Sequence, residues 1–284
     1  MTISYLKKML RPGHYGVLLL AALVISSPVV AQPQRIISTD AGVTEVLLAL
    51  GVGNRIVGVD VTSAVPDKFS VKKLGYHRML SAEGLLSLNP SLVVGSKHMG
   101  PPETVTAIQK ANLQLVQLPV AKNEKNLKAN IQAIGTLVGK ETQTQQLLQS
   151  IDHKMAAVNN MQLTANTKVA FLLQMDGRGI RLAGKGTTGG DLIALLGGKN
   201  LGEHNGYQTV SSEALLGLKP DVIIVASRDS NQSSVETLLT NNTLLKHSPA
   251  AKQQKIIEVD GSALVAGISL PAIDALQVMA AQLQ

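Results

Sequence analysis

The segment Leu74–Leu80, LGYHRML, puts a phenol, an imidazole, a guanidinium and a thioether into consecutive positions. A phenol that gives up its proton becomes a hard anionic oxygen, a ligand suited to ferric iron. Arg78, two residues beyond Tyr76, could donate a hydrogen bond to that oxygen and favour its anionic form. The alternative for Tyr76 is a boundary tyrosine with its ring packed and its hydroxyl in water. A second Gly-Tyr pair, Gly206-Tyr207, stands in the other half of the chain. Tyr207 could touch a ligand's face, meet a carboxylate, ligate a second iron, or simply pack.

Other residues offer less. His77, His98, His153, His204 and His247 have no spacing that makes a metal site, so each reads as structural before it reads as a ligand. Arg178, Arg181, Lys185 and Arg228 fall near expected strand ends or loops of the second half, and Lys97 in the first. Any of them could pair with a ligand carboxylate, Arg bidentately. The run Gly184–Asp191, GKGTTGGD, has a glycine and lysine at phosphate-loop spacing, but Gly186 stands where a nucleotide loop needs Ser or Thr. It reads as a loop into a helix whose first amides could receive a carboxylate, or as a plain turn. Enzyme chemistry finds little: there is no Cys, no nucleophile elbow, and no evident partner for Asp40 or Asp60 near their strand ends.

The elements that must hold these residues come in two sets. Residues 81–90 read SAEGLLSLNP and residues 211–220 read SSEALLGLKP. Ser81/Ser211, Glu83/Glu213, Leu85/Leu215, Leu86/Leu216, Leu88/Leu218 and Pro90/Pro220 coincide, and each segment runs on into an apolar stretch, SLVVGS or DVIIVAS. The pattern predicts an N-capped helix stopped by proline, then a strand covered on both faces, once per half. Further strands are expected at 36–38, 56–61, 115–118, 169–175 and 256–259, and helices at 43–50, 102–111, 126–138, 190–196 and 271–282. This alternation is α/β, with parallel-type sheets flanked by helices. Between the halves, Glu141–Asn159 carries apolar residues at helical spacing and predicts one long linker helix. The organisation expected is a leader over 1–31, an N-terminal lobe over 32–139, the linker over 140–160 and a C-terminal lobe over 161–284. One helix as the crossing predicts limited closure of the lobes.

The leader has Lys7, Lys8 and Arg11, an apolar run from Val17 to Ile25, and small residues up to Ala31. That is the layout of a secretory signal peptide, so the rest is expected to be exported and soluble. Net charge is +7, spread without any basic block, which argues against nucleic acid. With no Cys there are no disulfides or thiolate metal sites. With no Trp and only Phe69 and Phe171 as phenylalanines, a carbohydrate or single-strand nucleic-acid platform is excluded.

From about residue 34 to 284 the chain resembles the periplasmic haem-binding components of bacterial ABC importers, the HmuT type. These belong to the helix-linked, class III periplasmic binding proteins, which also include vitamin-B12 and siderophore binders. STDAGVTEVLLALGVGNRIVGVD (38–60), LSAEGLLSLNPSLVVGS and VSSEALLGLKPDVIIVAS carry the class, while LGYHRMLSAEGLLSLNP (74–90) and LAGKGTTGGDLIALLGG (182–198) carry the haem subgroup. The resemblance implies that Tyr76 ligates haem iron and that Arg78 supports it. It also implies that Glu83 and Glu213, one per lobe, contact a two-fold permease of the inner membrane. Haem is then cargo in the cleft between the lobes, not a catalytic cofactor. His77, Met79, Met99, Tyr207 and Arg228 are candidates to line it, and the protein is expected to be a periplasmic monomer. Some relatives carry a His near the end of the first strand of the second lobe. Here that stretch, FLLQMDG (171–177), has none, which leaves a second ligand and the haem count open. The alternatives are a ferric siderophore or corrinoid on the same fold, a periplasmic α/β enzyme, or an adhesin-like protein.

Overall fold

A computed structural model describes residues 34–174, 179–227 and 234–284. The first half runs β1 (Ile36–Ser38), α1 (Ala41–Ala49), β2 (Ile56–Val59), β3 (Lys72–Lys73), α2 (Ala82–Leu86), β4 (Leu92–Ser96), α3 (Pro102–Lys110), β5 (Gln114–Leu118) and α4 (Glu124–Val138). α5 (Glu141–Asn159) follows, over the range its periodicity predicts. The second half runs β6 (Lys168–Gln174), β7 (Ile180–Ala183), α6 (Thr188–Leu195), β8 (Lys199–Asn200), β9 (Tyr207–Thr209), α7 (Ser212–Gly217), β10 (Val222–Ser227), α8 (Ser234–Asn241), α9 (Pro249–Lys252), β11 (Ile256–Asp260) and α10 (Leu270–Gln282).

The first sheet has the order β3-β2-β1-β4-β5 and is parallel throughout. The second has the order β11-β10-β6-β7-β9, with β8 beside β6. Its β11-β10-β6 part and the β6-β8 pair are of the expected parallel type, while β7 runs antiparallel to both β6 and β9. The strands alternate apolar faces, as the period of two requires. Val169, Phe171, Val222 and Ile224 face one core, and Ala170, Leu172, Ile223 and Val225 face another under α7 and α8. Ile37 and Val93 form a third core with Leu80, Leu85 and Ile108.

The repeated helices are shorter than their leucine spacing suggests. Ser81 caps α2 by accepting from the Gly84 amide at 3.2 Å, and Ser211 caps α7 by accepting from Ala214 at 3.2 Å. Both end well before the proline, and the chain turns at Asn89 (φ 44°) and Lys219 (φ 52°). The residue before a proline is kept out of the right-handed helical region, so the break comes earlier than the proline itself.

The lobes are packed directly on one another. One apolar core contains residues of both halves, among them Ile36, Leu47, Ile151, Phe171 and Leu276. Lys154 of α5 pairs with Asp274 of α10, and the Ile268 amide donates to Ala121 O at 2.8 Å. Gly135 of α4 lets α5 approach, since a Cβ there would lie 1.9 Å from Thr144 Oγ1. Among the described residues no helix is long and apolar enough to cross a membrane. The expected leader lies outside them.

Candidate functional site

In a parallel sheet every strand ends at the same edge, and open α/β sheets offer ligands that edge. Here β1, β2, β3 and β4 reach the same edge at Ser38, Val59, Lys73 and Ser96, and a loop rises from each. One of them, between β3 and α2, carries Tyr76. Its bends are made by Gly75, whose φ of 97° suits glycine, and by a turn in which the Met79 amide donates to Tyr76 O at 2.8 Å. It is stitched to its neighbours by main-chain bonds. Val61 N donates to Gly75 O at 2.9 Å, Gly100 N to His77 O at 2.9 Å, and Leu80 N to Gly100 O at 2.9 Å.

This backbone turns alternate side chains in opposite directions. Tyr76 is 44 % exposed and Met79 77 % exposed, and Val61 beside them is 55 % exposed. Arg78 is exposed as well. His77 goes the other way and is only 7 % exposed. Its Nδ1 lies 3.3 Å from Oδ2 of Asp60, a carboxylate at the end of β2 with no exposure. An ionised carboxylate only accepts, so this ring nitrogen carries the proton. Asp60 also accepts from Ser63 Oγ at 2.5 Å, from the Thr62 hydroxyl and from the Thr62 amide at 3.2 Å. Burial alone raises the Asp60 carboxyl, but bonds from His77, Ser63 and Thr62 outweigh it and leave it below its ordinary value. Thr44 Oγ1, 2.7 Å from Ser38 Oγ and 2.8 Å from Ser63 Oγ, continues the network under the sheet edge. Asp60 therefore has the partner that its sequence context does not reveal.

Met99 faces inward. It is 6 % exposed and packs with Leu80 and Leu85, so it supports the loop from below and does not sit at the surface with Met79. His98 and Lys97 are exposed; burial and the nearby Arg78 charge hold His98 below its ordinary value. Glu83 and Glu213 are both exposed in the first turns of α2 and α7.

In the second half, Gly206 repeats the positive φ of Gly75, at 74°, but Tyr207 opens β9 and is partly buried. Its hydroxyl accepts from the Gly189 amide at 3.4 Å. Burial pushes this phenol up, against the pull of hydrogen bonds from Gly189 and Thr187. Thr187 Oγ1 accepts from the Gly190 amide at 3.0 Å, so the first amides of α6 are occupied by the chain's own groups and not held open for a carboxylate. Arg181 is used internally too, donating to Tyr207 O at 2.6 Å. Arg178 and Arg228 lie outside the described residues.

Two spaces bear on what fits. The void where the lobes meet, lined by residues such as Asp40, Ser96, Ala121 and Ser269, holds about 30 Å³, room for a water. A hollow of about 490 Å³ opens in the second lobe between Gln174, Thr209, Ser211 and Asn242. Gln174 ends β6, and its buried Oε1 has no hydrogen-bond partner.

Several known binding proteins share this plan. The family described as "Periplasmic binding protein" matches residues 36–263. The crystal structure of the periplasmic heme-binding protein HutB of Vibrio cholerae superposes with a TM-score of 0.80 at 31 % identity, covering 88 % of this chain and 98 % of that one. A Bacillus subtilis ABC transporter substrate-binding lipoprotein, YvrC, is 24 % identical over 68 % of this chain and 63 % of its own length, so the match spans under two thirds of that relative. A vitamin B12-binding protein of Vibrio cholerae is 22 % identical over 72 % of this chain and 75 % of its own.

Proposed function

This chain belongs to the periplasmic binding protein family, and from that premise we propose that it captures ferric haem through the Tyr76 phenolate and delivers it to an inner-membrane ABC permease. The observation that carries the reading is the Tyr76 loop: an exposed phenol on a hydrogen-bonded turn at the sheet's carboxyl edge, with a cation two residues away. A phenolate there meets iron from one side, while Met79 and Val61 offer apolar surface to a porphyrin and Arg78 stabilises the anionic oxygen. Met99 and His77 act beneath the loop. Haem is cargo, and no bond in it is made or broken. Glu83 and Glu213 dock the two lobes onto the permease, and residues 1–31 direct export.

The 31 % identity to a heme-binding protein over nearly the whole of both chains supports haem over the other cargoes of the family. A corrinoid is the second reading, favoured by the vitamin B12-binding relatives. A corrinoid carries cobalt with its own ring ligands and makes no use of a phenolate–iron bond. The experiment is a hemin titration followed by absorption. We expect a saturable shift with a phenolate-to-iron charge-transfer band in the native protein, and loss of that band with about tenfold or more weaker binding in Tyr76→Phe. An unshifted hemin spectrum, or displacement of hemin by equimolar cobalamin, refutes the assignment.

A further inference from the structure

The contact that the proposed iron ligand itself does not explain is the one behind it. We propose that the Asp60–His77 hydrogen bond is a positioning clamp that holds the Tyr76 loop in its ligand-receiving conformation before haem arrives. This rests on the functional reading above.

His77 is the one residue of the loop whose side chain is pinned to the sheet by a charged partner, at 3.3 Å from Asp60, with side-chain exposures of 9 % and 0 %. Asp60 in turn is fixed by Ser63 and Thr62, so the carboxylate cannot follow a moving histidine. The imidazole also lies against the phenol, with ring centroids 4.3 Å apart and planes tilted by 47°. One side chain thus joins a rigid strand end to the ring that would meet iron. Among the described residues the Tyr76 hydroxyl has no hydrogen-bond partner, and Arg78 and Met79 are exposed. A ligand residue on a short loop gains from outer partners that set its orientation, because a ring that must be ordered on binding gives up part of the bond strength to entropy.

Histidine 77 is therefore a positioning residue, separate from the ligand. Two substitutions distinguish the hydrogen bond from the ring contact. His77→Asn keeps a donor near the place of Nδ1 and loses the ring. His77→Phe keeps a ring and loses the donor. We expect His77→Asn, which keeps the donor to Asp60, to lose hemin affinity and charge-transfer intensity by a smaller factor than His77→Phe. His77→Phe should bind about tenfold or more weakly, with a weakened charge-transfer band even at saturating hemin and a melting temperature that shows it folded. Native binding and spectrum in folded His77→Phe would overturn the clamp, as would equal losses in both variants.

Hydrogen exchange on the native protein without hemin gives a test that survives a variant that fails to fold. The amides of Met79, Leu80 and Gly100 should exchange at least about tenfold more slowly than in an unstructured peptide. Free-peptide rates there would mean that the loop is not preset, and would overturn the proposal. A native protein that takes up no hemin sinks the functional reading alone, and the exchange rates still judge the clamp.

Discussion

Tyr76 and Tyr207 each close a Gly-Tyr dipeptide, with a left-handed glycine before each, yet they meet different surroundings. The first stands out from a loop; the second is the first residue of a strand, with its hydroxyl on the Gly189 amide. A buried phenol whose ionisation is disfavoured makes a poor iron ligand. Tyr207→Phe should accordingly leave the hemin charge-transfer band unchanged and cost no more than about 1 kcal/mol of stability, read from spectra and chemical denaturation. A lost band would make Tyr207 a second ligand. Tyr76 stood out in the sequence as a candidate because a glycine precedes the phenol and an arginine follows two residues on. The inward turn of His77 and Met99 was not, because only the sheet edge beneath them decides which of two adjacent side chains is buried.

At the level of elements, α2 and α7 are the two copies of the repeat, each capped by serine and each showing one glutamate to solvent. Neither glutamate has a task inside the fold beyond complementing its helix N-terminus. Replacing both by lysine should leave hemin affinity and melting temperature near native and lower hemin uptake into permease proteoliposomes about tenfold or more. Unchanged uptake would remove these helices from the docking surface. The repeat, the linker helix and the buried strands could be read from periodicity and β-branched runs. β3, β7, β8 and β9 could not, because they lack the β-branched apolar run that marks the equally short β1 and β2 and take their identity from the neighbour they pair with.

Across the whole molecule, α1 of the first lobe meets the start of α10 in the second, where Gly42 lies under Ala266 and Ser269. Glu45 sits at this junction with Oε2 buried and without a partner. Burial pushes its carboxyl up to about 7, opposed by a bond from Ser269 and aided by the charges of Asp40 and Asp274; Lys154, from α5, is engaged with Asp274. The folded pKa exceeds the unfolded one, so between pH 4.5 and about 7 the folded protein keeps a proton that the unfolded chain has released. Stability falls as pH rises through that window and stays lower above it, by roughly 3 kcal/mol at most. Glu45→Gln should flatten this decline and be more stable than the native protein at pH 8, with little difference at pH 4.5. Parallel melting curves for the two proteins across that range would exclude the effect.

The amino-acid sequence by itself determined the α/β alternation, the two-fold plan and the helix between the halves, and it singled out Tyr76 as the candidate we propose for iron. These are properties of short windows: apolar period, capping residues and the chemistry of adjacent side chains. Only the tertiary structure decided that Asp60 reaches His77 across 17 positions, that Tyr207 is spent on α6, and that one oxygen of Glu45 is buried where the lobes meet. Each of these depends on which distant backbone arrives alongside, and burial then sets both the charge state of the group and the direction in which it can act.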